Sequence, residues 1–298
     1  MSFFLVPEGL LVLDKPGGLS SHDVVQQIRR LSQLRRVGHA GTLDPMATGV
    51  LLVCLGRATR LIEYLVGQPK TYVGTIRLGQ NTATYDAEGS ITQERPITGD
   101  AEEIAAALKT FQGNIQQVPP LYSALKKQGQ PLYKLARQGK TVDLEPRPVT
   151  IYNLEILNWH KPDLTVRVVC SAGTYIRSLA YDLGEVLGCG GHLTALRRTA
   201  IGTFAVDAAA PLSTLTTTTW SSHLLPSETC VQHLPPLHLT AIQADMLQKG
   251  QRPLRDPGQP AALFVRGYDE RGRFLGVFSP WQDRWQVEKM FLPDGDGE

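Results

Sequence analysis

Two short, continuously apolar runs, Leu10 to Leu13 and Val50 to Leu55, are bounded by turn residues and predict buried strands. The first stops at Asp14-Lys15-Pro16-Gly17-Gly18. Between the runs, Val24, Ile28 and Leu31 recur at helical spacing, with Gln27, Arg29 and Arg30 off that stripe and Ser21 or Asp23 available as a cap. Gly38 to Gly49, with Pro45 and small polar residues, predicts a loop at a strand edge. A short helix is expected around Thr59 to Leu65. From Lys70 to Leu78 the period falls to two, which puts Tyr72, Gly74, Ile76 and Leu78 on one face. The bare Gly74 predicts open space beside the Tyr72 ring.

Asp100 to Phe111 predicts a helix, with a capping Asp, acids in the first turn, and Ile104, Leu108 and Phe111 on one side. Val118 to Pro148 is broken repeatedly by Pro and Gly and carries six basic residues, so it is expected to be an excursion from the core. Thr150 to Ser171 predicts a hairpin turning at Lys161-Pro162-Asp163. Gly173-Thr174 then starts a helix with Ile176, Leu179, Leu183 and Leu187 as its buried stripe, and a strand is expected from His192 to Phe204. Helices and strands interleave without a regular βαβ period, which favours an α+β fold on a mixed, mostly antiparallel sheet. The threonine-rich and proline-rich stretch from Pro211 reads as a connector. Beyond it, a helix around Ile242 to Lys249 and β segments at Ala262 to Val265 and Phe274 to Phe278 suffice for a small, mainly β domain. The expected organisation is a core over 1–210 with an insertion at 118–148, a connector over 211–238, and a small domain over 239–298.

Composition narrows the class. The 298 residues are 42% hydrophobic and 19% charged, which excludes disorder, collagen and a pure coiled coil. A formal charge of +2 does not announce a polyanion partner, so one would have to be held by local clusters. Arg29, Arg30, Arg35 and Arg36, Lys126 with Lys127, and Arg197 with Arg198 are the candidates, and each reads equally as a solvated face. Cys54, Cys170, Cys189 and Cys230 lie far apart, without zinc or redox spacing, as expected of reduced core residues in the cytosol. No apolar run is long enough to span a bilayer, and the N-terminal segment lacks a signal-peptide pattern.

Few residues ask for chemistry. Asp44 precedes a proline and is therefore presented from extended, irregular backbone, although Asp-Pro is also a common turn. Arg177 falls in a first helical turn, where a cation is opposed by ~0.3 to 1 kcal/mol unless an anion is near. Tyr72 could stack on a planar ligand or simply pack, and His39 could contact a ligand or serve its own loop. No P-loop, dinucleotide fingerprint or serine nucleophile elbow is present.

These residues also stand within longer motifs. GLLVLDKPGGLSSHDVV, RRVGHAGTLDPMATGVLLVCLGRATRLIEYL, KTYVGTIRLGQNTATYDAEG, QVPPLYSALKKQGQPLYKLARQG and CSAGTYIRSLAYDLGEVLGCGGHLTALRRT, in order over residues 9–204, resemble the TruB family of tRNA pseudouridine synthases. The resemblance implies a pseudouridine synthase core with an RNA-binding insertion and a PUA-like C-terminal domain. It implies isomerisation of the T-loop uridine of tRNA, position 55, without cofactor or metal. By position it makes Asp44 the catalytic carboxylate, Tyr72 the base-stacking tyrosine and Arg177 the arginine paired with Asp44. His39, Tyr175, Lys126, Lys127, Arg137 and Arg197 are implied substrate contacts, while Lys15 and Asp86 are given structural or RNA-positioning roles. The expected partner is tRNA, with no membrane and no obligate protein partner, for a cytoplasmic monomer. Three alternatives remain: a non-catalytic tRNA-binding protein on the same fold, the same chemistry with shifted RNA specificity, or a nucleoside hydrolase pairing Asp44 with Asp86 or Asp182.

Overall fold

The computed structural model describes residues 7–123, 125–127, 130–132 and 144–291. Elements in chain order are β1 (Gly9–Lys15), α1 (Ser21–Ser32), β2 (Val37–Ala40), β3 (Thr48–Leu55), α2 (Ile62–Val66), β4 (Lys70–Leu78), β5 (Gln80–Thr82), β6 (Ile91–Glu94), α3 (Ala101–Lys109), β7 (Gly113–Gln117), β8 (Lys126–Lys127) and β9 (Gln130–Pro131). There follow β10 (Arg147–His160), β11 (Asp163–Cys170), α4 (Ile176–Val186), β12 (Gly191–Ile201), β13 (Phe204–Ala205), β14 (Ala210–Pro211), β15 (Pro236–His238), α5 (Ala241–Gln248), β16 (Val265–Tyr268), β17 (Phe274–Trp281) and β18 (Arg284–Met290).

Ten strands form one sheet in the order β14-β1-β3-β12-β4-β11-β10-β7, with β2 on β3 and β13 on β12. Only β1–β14 and β3–β12 are parallel, so the sheet is mixed and mostly antiparallel, as the pattern predicts. Both faces are covered. Leu11 and Leu13 of β1 pack with Val24, Val25 and Ile28 of α1 on one side, while Leu10 and Val12 pack with Cys230 and Val231 on the other. That double burial explains why β1 and β3 read as continuous apolar runs. A separate core joins Ile76, Val166 and Leu193 of the sheet to Ile104 and Leu108 of α3 and Leu179 and Leu183 of α4.

Several local expectations change. Val37–Ala40 is a strand paired antiparallel to β3, so only the middle of the expected 38–49 loop is irregular. The α1 cap is Ser20, in a reciprocal capping box with Asp23. Thr174 does not cap α4; its hydroxyl turns back to Ser171 O, and Tyr175 holds the cap position without a side-chain bond. No space lies over Gly74, because a Cβ there would meet Leu193 and Leu196 of β12 at 3.3 and 3.5 Å. Residues 211–236 are folded onto the core through short 3-10 turns that bury Leu212, Leu215, Trp220, Cys230 and Val231. The strand expected at 262–265 begins at Val265, where Val265 and Gly267 alternate inward. The insertion leaves from β7 and returns in β10, which are neighbours in the sheet. Lys126 and Lys127 form its strand β8, paired with β9, and Arg137 lies outside the described residues.

The C-terminal sheet, β15-β16-β17-β18, encloses Trp285 and Phe278 with Leu247 of α5. It meets the larger part through Phe291 and Val277, which share a core with Leu52 and Leu61. Arg60 donates to Met290 O at 2.9 Å, and Lys289 pairs with Glu63 at 2.8 Å.

Candidate active site

Asp44 sits on the irregular segment between β2 and β3, and the chain braces that segment from beneath. The Ser21 hydroxyl accepts from Leu43 N at 2.8 Å and donates to Leu43 O at 3.2 Å. Gly18 N donates to Pro45 O at 2.8 Å. Lys15, wholly buried at the end of β1, spreads its ammonium over the carbonyls of Pro16, Leu19 and Pro45 at 2.9, 2.6 and 3.2 Å. Burial lowers the Lys15 pKa to about 8, against the pull of Asp44. The DKPGG turn thus carries a buried cation that fixes the loop one residue beyond Asp44.

Arg177 comes from the opposite side, in the first turn of α4, and is 5% exposed. Its Nη2 donates to Asp44 Oδ1 at 3.1 Å and to Tyr122 O at 2.8 Å, and its Nη1 donates to Thr84 O at 3.2 Å. Nε lies 2.9 Å from Asp44 Oδ2, and Nη1 lies 3.4 Å from Asp86 Oδ2. The anion that the helix terminus calls for is therefore present twice over. Asp86 is buried, with Oδ1 taken by Glu88 N at 3.1 Å and by the Thr84 hydroxyl. Its turn is docked on β12, where Leu193 N donates to Tyr85 O and Ala87 N to Leu193 O, each at 3.0 Å. Burial pushes the Asp44 carboxyl above its ordinary value; Arg177 opposes this and Asp86 adds to it. The result is an arginine-held carboxylate still one-third open to a cavity.

Tyr72 stands in the middle of β4, 8% exposed, with Val168 of β11 and Arg198 of β12 as its cross-strand neighbours. Burial raises its phenol, against the charge of Arg198. Tyr72, Asp44 and Arg177 line one cavity of about 300 Å³, together with the 41–43 backbone, the 171–176 turn, Leu196 and Arg198. A hydrophobic floor, the rings of Tyr72 and Tyr175 and a fixed charge pair suit a flat, polar-edged ring joined to a charged backbone. The three residues singled out on chemical grounds converge here.

Residues 29–176 match the N-terminal domain of TruB family pseudouridylate synthases. Residues 177–237 match the tRNA pseudouridylate synthase B C-terminal domain, and 235–277 match a further C-terminal domain of pseudouridine synthase II TruB. The chain belongs to the TruB family. It is 44% identical to tRNA pseudouridine synthase B of Haemophilus influenzae strain Rd, over 96% of both chains. It is 48% identical to tRNA pseudouridine synthase B of Aromatoleum aromaticum, over 91% of this chain and 88% of that one. Among solved structures, a Cbf5-Nop10-Gar1 complex aligns at TM-score 0.74 and 29% identity, over 96% of this chain and 85% of the other.

The remaining residues marked by the family resemblance divide. Tyr175 lines the cavity, its backbone clamped by Gln117, which accepts from Tyr175 N at 2.7 Å and donates to Tyr175 O at 3.0 Å. His39 is half-buried on β2, outside the residues lining the cavity; burial beside Arg198 lowers its pKa, and its Nδ1 has no hydrogen-bond partner. Arg197 faces away from the cavity and is held by Asp14 at 2.7 and 3.1 Å. Its neighbour Arg198 faces in, as alternation along a strand requires. Sequence reasoning gave Asp86 no part in the charge pair and overlooked Lys70, a buried lysine on the cavity wall whose ammonium is bound by Val66 O and Gln68 O. The signal for Lys70 was its place two residues before Tyr72 on a strand of period two. Among the described residues, no group of three or more His, Cys, Asp or Glu could hold a metal.

Proposed function

We propose that this chain isomerises the T-loop uridine of tRNA, position 55, to pseudouridine, with Asp44 as the reacting carboxylate. The observation that carries the reading is the Asp44 carboxylate, gripped by Arg177 on the wall of a cavity that Tyr72 also lines. A uridine inside a folded loop is out of reach, so it must be flipped out, at a cost of a few kcal/mol that stacking worth ~1 to 3 kcal/mol offsets. Tyr72 and Leu196 supply the faces for that stacking. The C1′–N1 bond then breaks, the held uracil turns, C5 bonds to C1′, and the C5 proton leaves, with Tyr72 read as the group that relays it.

Attack on C1′ and proton removal from the ribose both need Asp44 ionised, and Arg177 favours that form against burial. The reaction rearranges bonds within one nucleotide without redox change or net hydrolysis, so its balance requires no cofactor. Tyr175, His39, Lys126, Lys127, Arg137 and Arg197 are read as substrate contacts, the lysines and arginines through phosphates. A cytoplasmic monomer acting on tRNA without a protein partner completes the reading. The hydrolase alternative needs a second carboxylate in the cavity, and neither Asp86 nor Asp182 lines it.

The test is tritium release from a tRNA transcript carrying [5-³H]uridine, with the modified position mapped. Release by the wild type alone, at one T-loop uridine, is expected, with none from Asp44→Asn. Tight tRNA binding without release by either protein would leave an RNA-binding protein, and free uracil among the products would leave a hydrolase.

A further inference from the structure

Arg198 is 1% exposed, yet no carboxylate among the described residues engages it. It donates to three backbone carbonyls, Nε to Val50 O at 2.8 Å, Nη1 to Thr42 O at 3.3 Å and Nη2 to Gly41 O at 3.1 Å, and its side chain also engages the Tyr72 phenol. A buried cation without a counterion is costly, and an apolar side chain would fill the same volume at less expense. What the guanidinium does is join three pieces of backbone. On β12 it stands opposite Tyr72 in one direction and Gly49 of β3 in the other. Its side chain crosses β3 to the segment that ends in Asp44.

The surroundings are shaped for that crossing. Gly49 has φ +103°, and a Cβ there would lie 2.1 Å from Arg198 O, so only glycine allows β3 and β12 to meet. Gly41 has φ +95°, and a Cβ there would lie 3.7 Å from Arg198 Nη1. The arginine therefore packs against a bare backbone turn three residues before the carboxylate.

We propose that Arg198 is a positioning residue for the isomerisation, its planar fork fixing the carbonyls of Gly41 and Thr42 and so setting Asp44 relative to the Tyr72 ring. The inference rests on the function proposed above and deepens it. Geometry rather than charge is the operative property. A lysine would restore the cation as a single point but could not span Val50, Thr42 and Gly41 together. Misplacing a reacting group by an ångström is enough to slow chemistry on the order of 100-fold while the substrate still binds.

The experiment compares wild type with Arg198→Lys, using single-turnover pseudouridine formation, tRNA affinity and hydrogen exchange over residues 38–49. Arg198→Lys is expected to slow the single-turnover rate on the order of 10- to 100-fold, leave tRNA Kd unchanged, and accelerate exchange in that segment without affecting β1. A wild-type rate in Arg198→Lys would overturn the proposal, because charge alone would then suffice. A parallel loss of binding and rate would also overturn it, in favour of an RNA contact. Should Arg198→Lys fail to fold, Gly41→Ala strains the same turn with Arg198 intact and is expected to give the same split between rate and affinity; an unchanged rate there overturns the proposal. If the wild type makes no pseudouridine, the proposed function fails, while the exchange comparison still decides whether Arg198 fixes the loop.

Discussion

Arg177 and Asp44 are 133 residues apart in the chain, and Arg177 Nε lies 2.9 Å from Asp44 Oδ2. The arginine reaches the carboxylate with two nitrogens and reserves the rest of its fork for Thr84 O, Tyr122 O and Asp86. A lysine could hold the charge but not this arrangement. Arg177→Lys is therefore expected to fold and bind tRNA normally while losing on the order of 10²- to 10³-fold in the chemical step, as when a preorganised electrostatic partner is removed. Equal losses in rate and affinity would mark Arg177 as an RNA contact instead.

The pH profile should report the same pair. Burial raises the Asp44 pKa, so its ionised form, which the proposed reaction needs, is lost as pH falls through a value above the ordinary ~3.9. Single-turnover rates are expected to show an acid limb in that raised range and to level off above it. Asp86 contributes to the rise, so Asp86→Asn should move the limb to lower pH. Asp86→Asn should also lower the plateau, because Arg177 loses one of its two anionic anchors. An acid limb that stays in place in Asp86→Asn would show that the two carboxylates do not sense each other.

How much of this was legible beforehand depended on whether a residue's role was local. Strand and helix periods fixed β1, β3, β4, the β10–β11 hairpin and α4 because burial writes them into the pattern directly. Asp44 stood out because the following proline presents it from extended backbone, and Arg177 because a cation at a helix start violates a local preference. Asp86 violates nothing locally: it sits in a turn where aspartate is ordinary, and its approach to Arg177 exists only once the turn docks on β12. Arg197 and Arg198 read as one basic patch, whereas the strand sends one outward to Asp14 and buries the other in the cavity wall. The segment after Pro211 looked like a linker because its buried residues are spaced by 3-10 turns, which leave no helical or strand period. Resemblance to the family supplied Tyr175, whose side chain gives no chemical hint in isolation.

Gly184 tests how tightly the helix bearing Arg177 is seated. A Cβ on Gly184 would lie 2.1 Å from Gly190 C and from Gly191 N, so α4 rests directly on the start of β12. Gly184→Ala must push helix and strand apart, and overpacking of this kind costs about 1 to 3 kcal/mol. The expected result is a lower melting temperature together with a slower chemical step, since α4 carries Arg177 two turns earlier. An unchanged melt would mean that the contact relaxes without moving the helix.

Salt dependence separates residues that grip RNA from residues that shape the protein. Each phosphate neutralised by a side chain contributes about −0.9 to the slope of log affinity against log salt on B-form DNA and about −0.7 on single strands, and a tRNA contact is expected to contribute a slope of that order. Lys126→Ala and Lys127→Ala lie in the basic excursion between β7 and β10, so each is expected to weaken tRNA binding and flatten that slope by about one contact. Arg197 differs, because Asp14 already holds its guanidinium at 2.7 and 3.1 Å and any phosphate must compete with that carboxylate. Arg197→Ala is expected to change the slope by less than either lysine substitution. Asp14→Asn should steepen it by releasing Arg197 to the RNA. Filter binding of a tRNA transcript across a salt series gives all four slopes, and a larger effect from Arg197→Ala than from the lysines would move the principal phosphate grip from the insertion to the Asp14 end of β12.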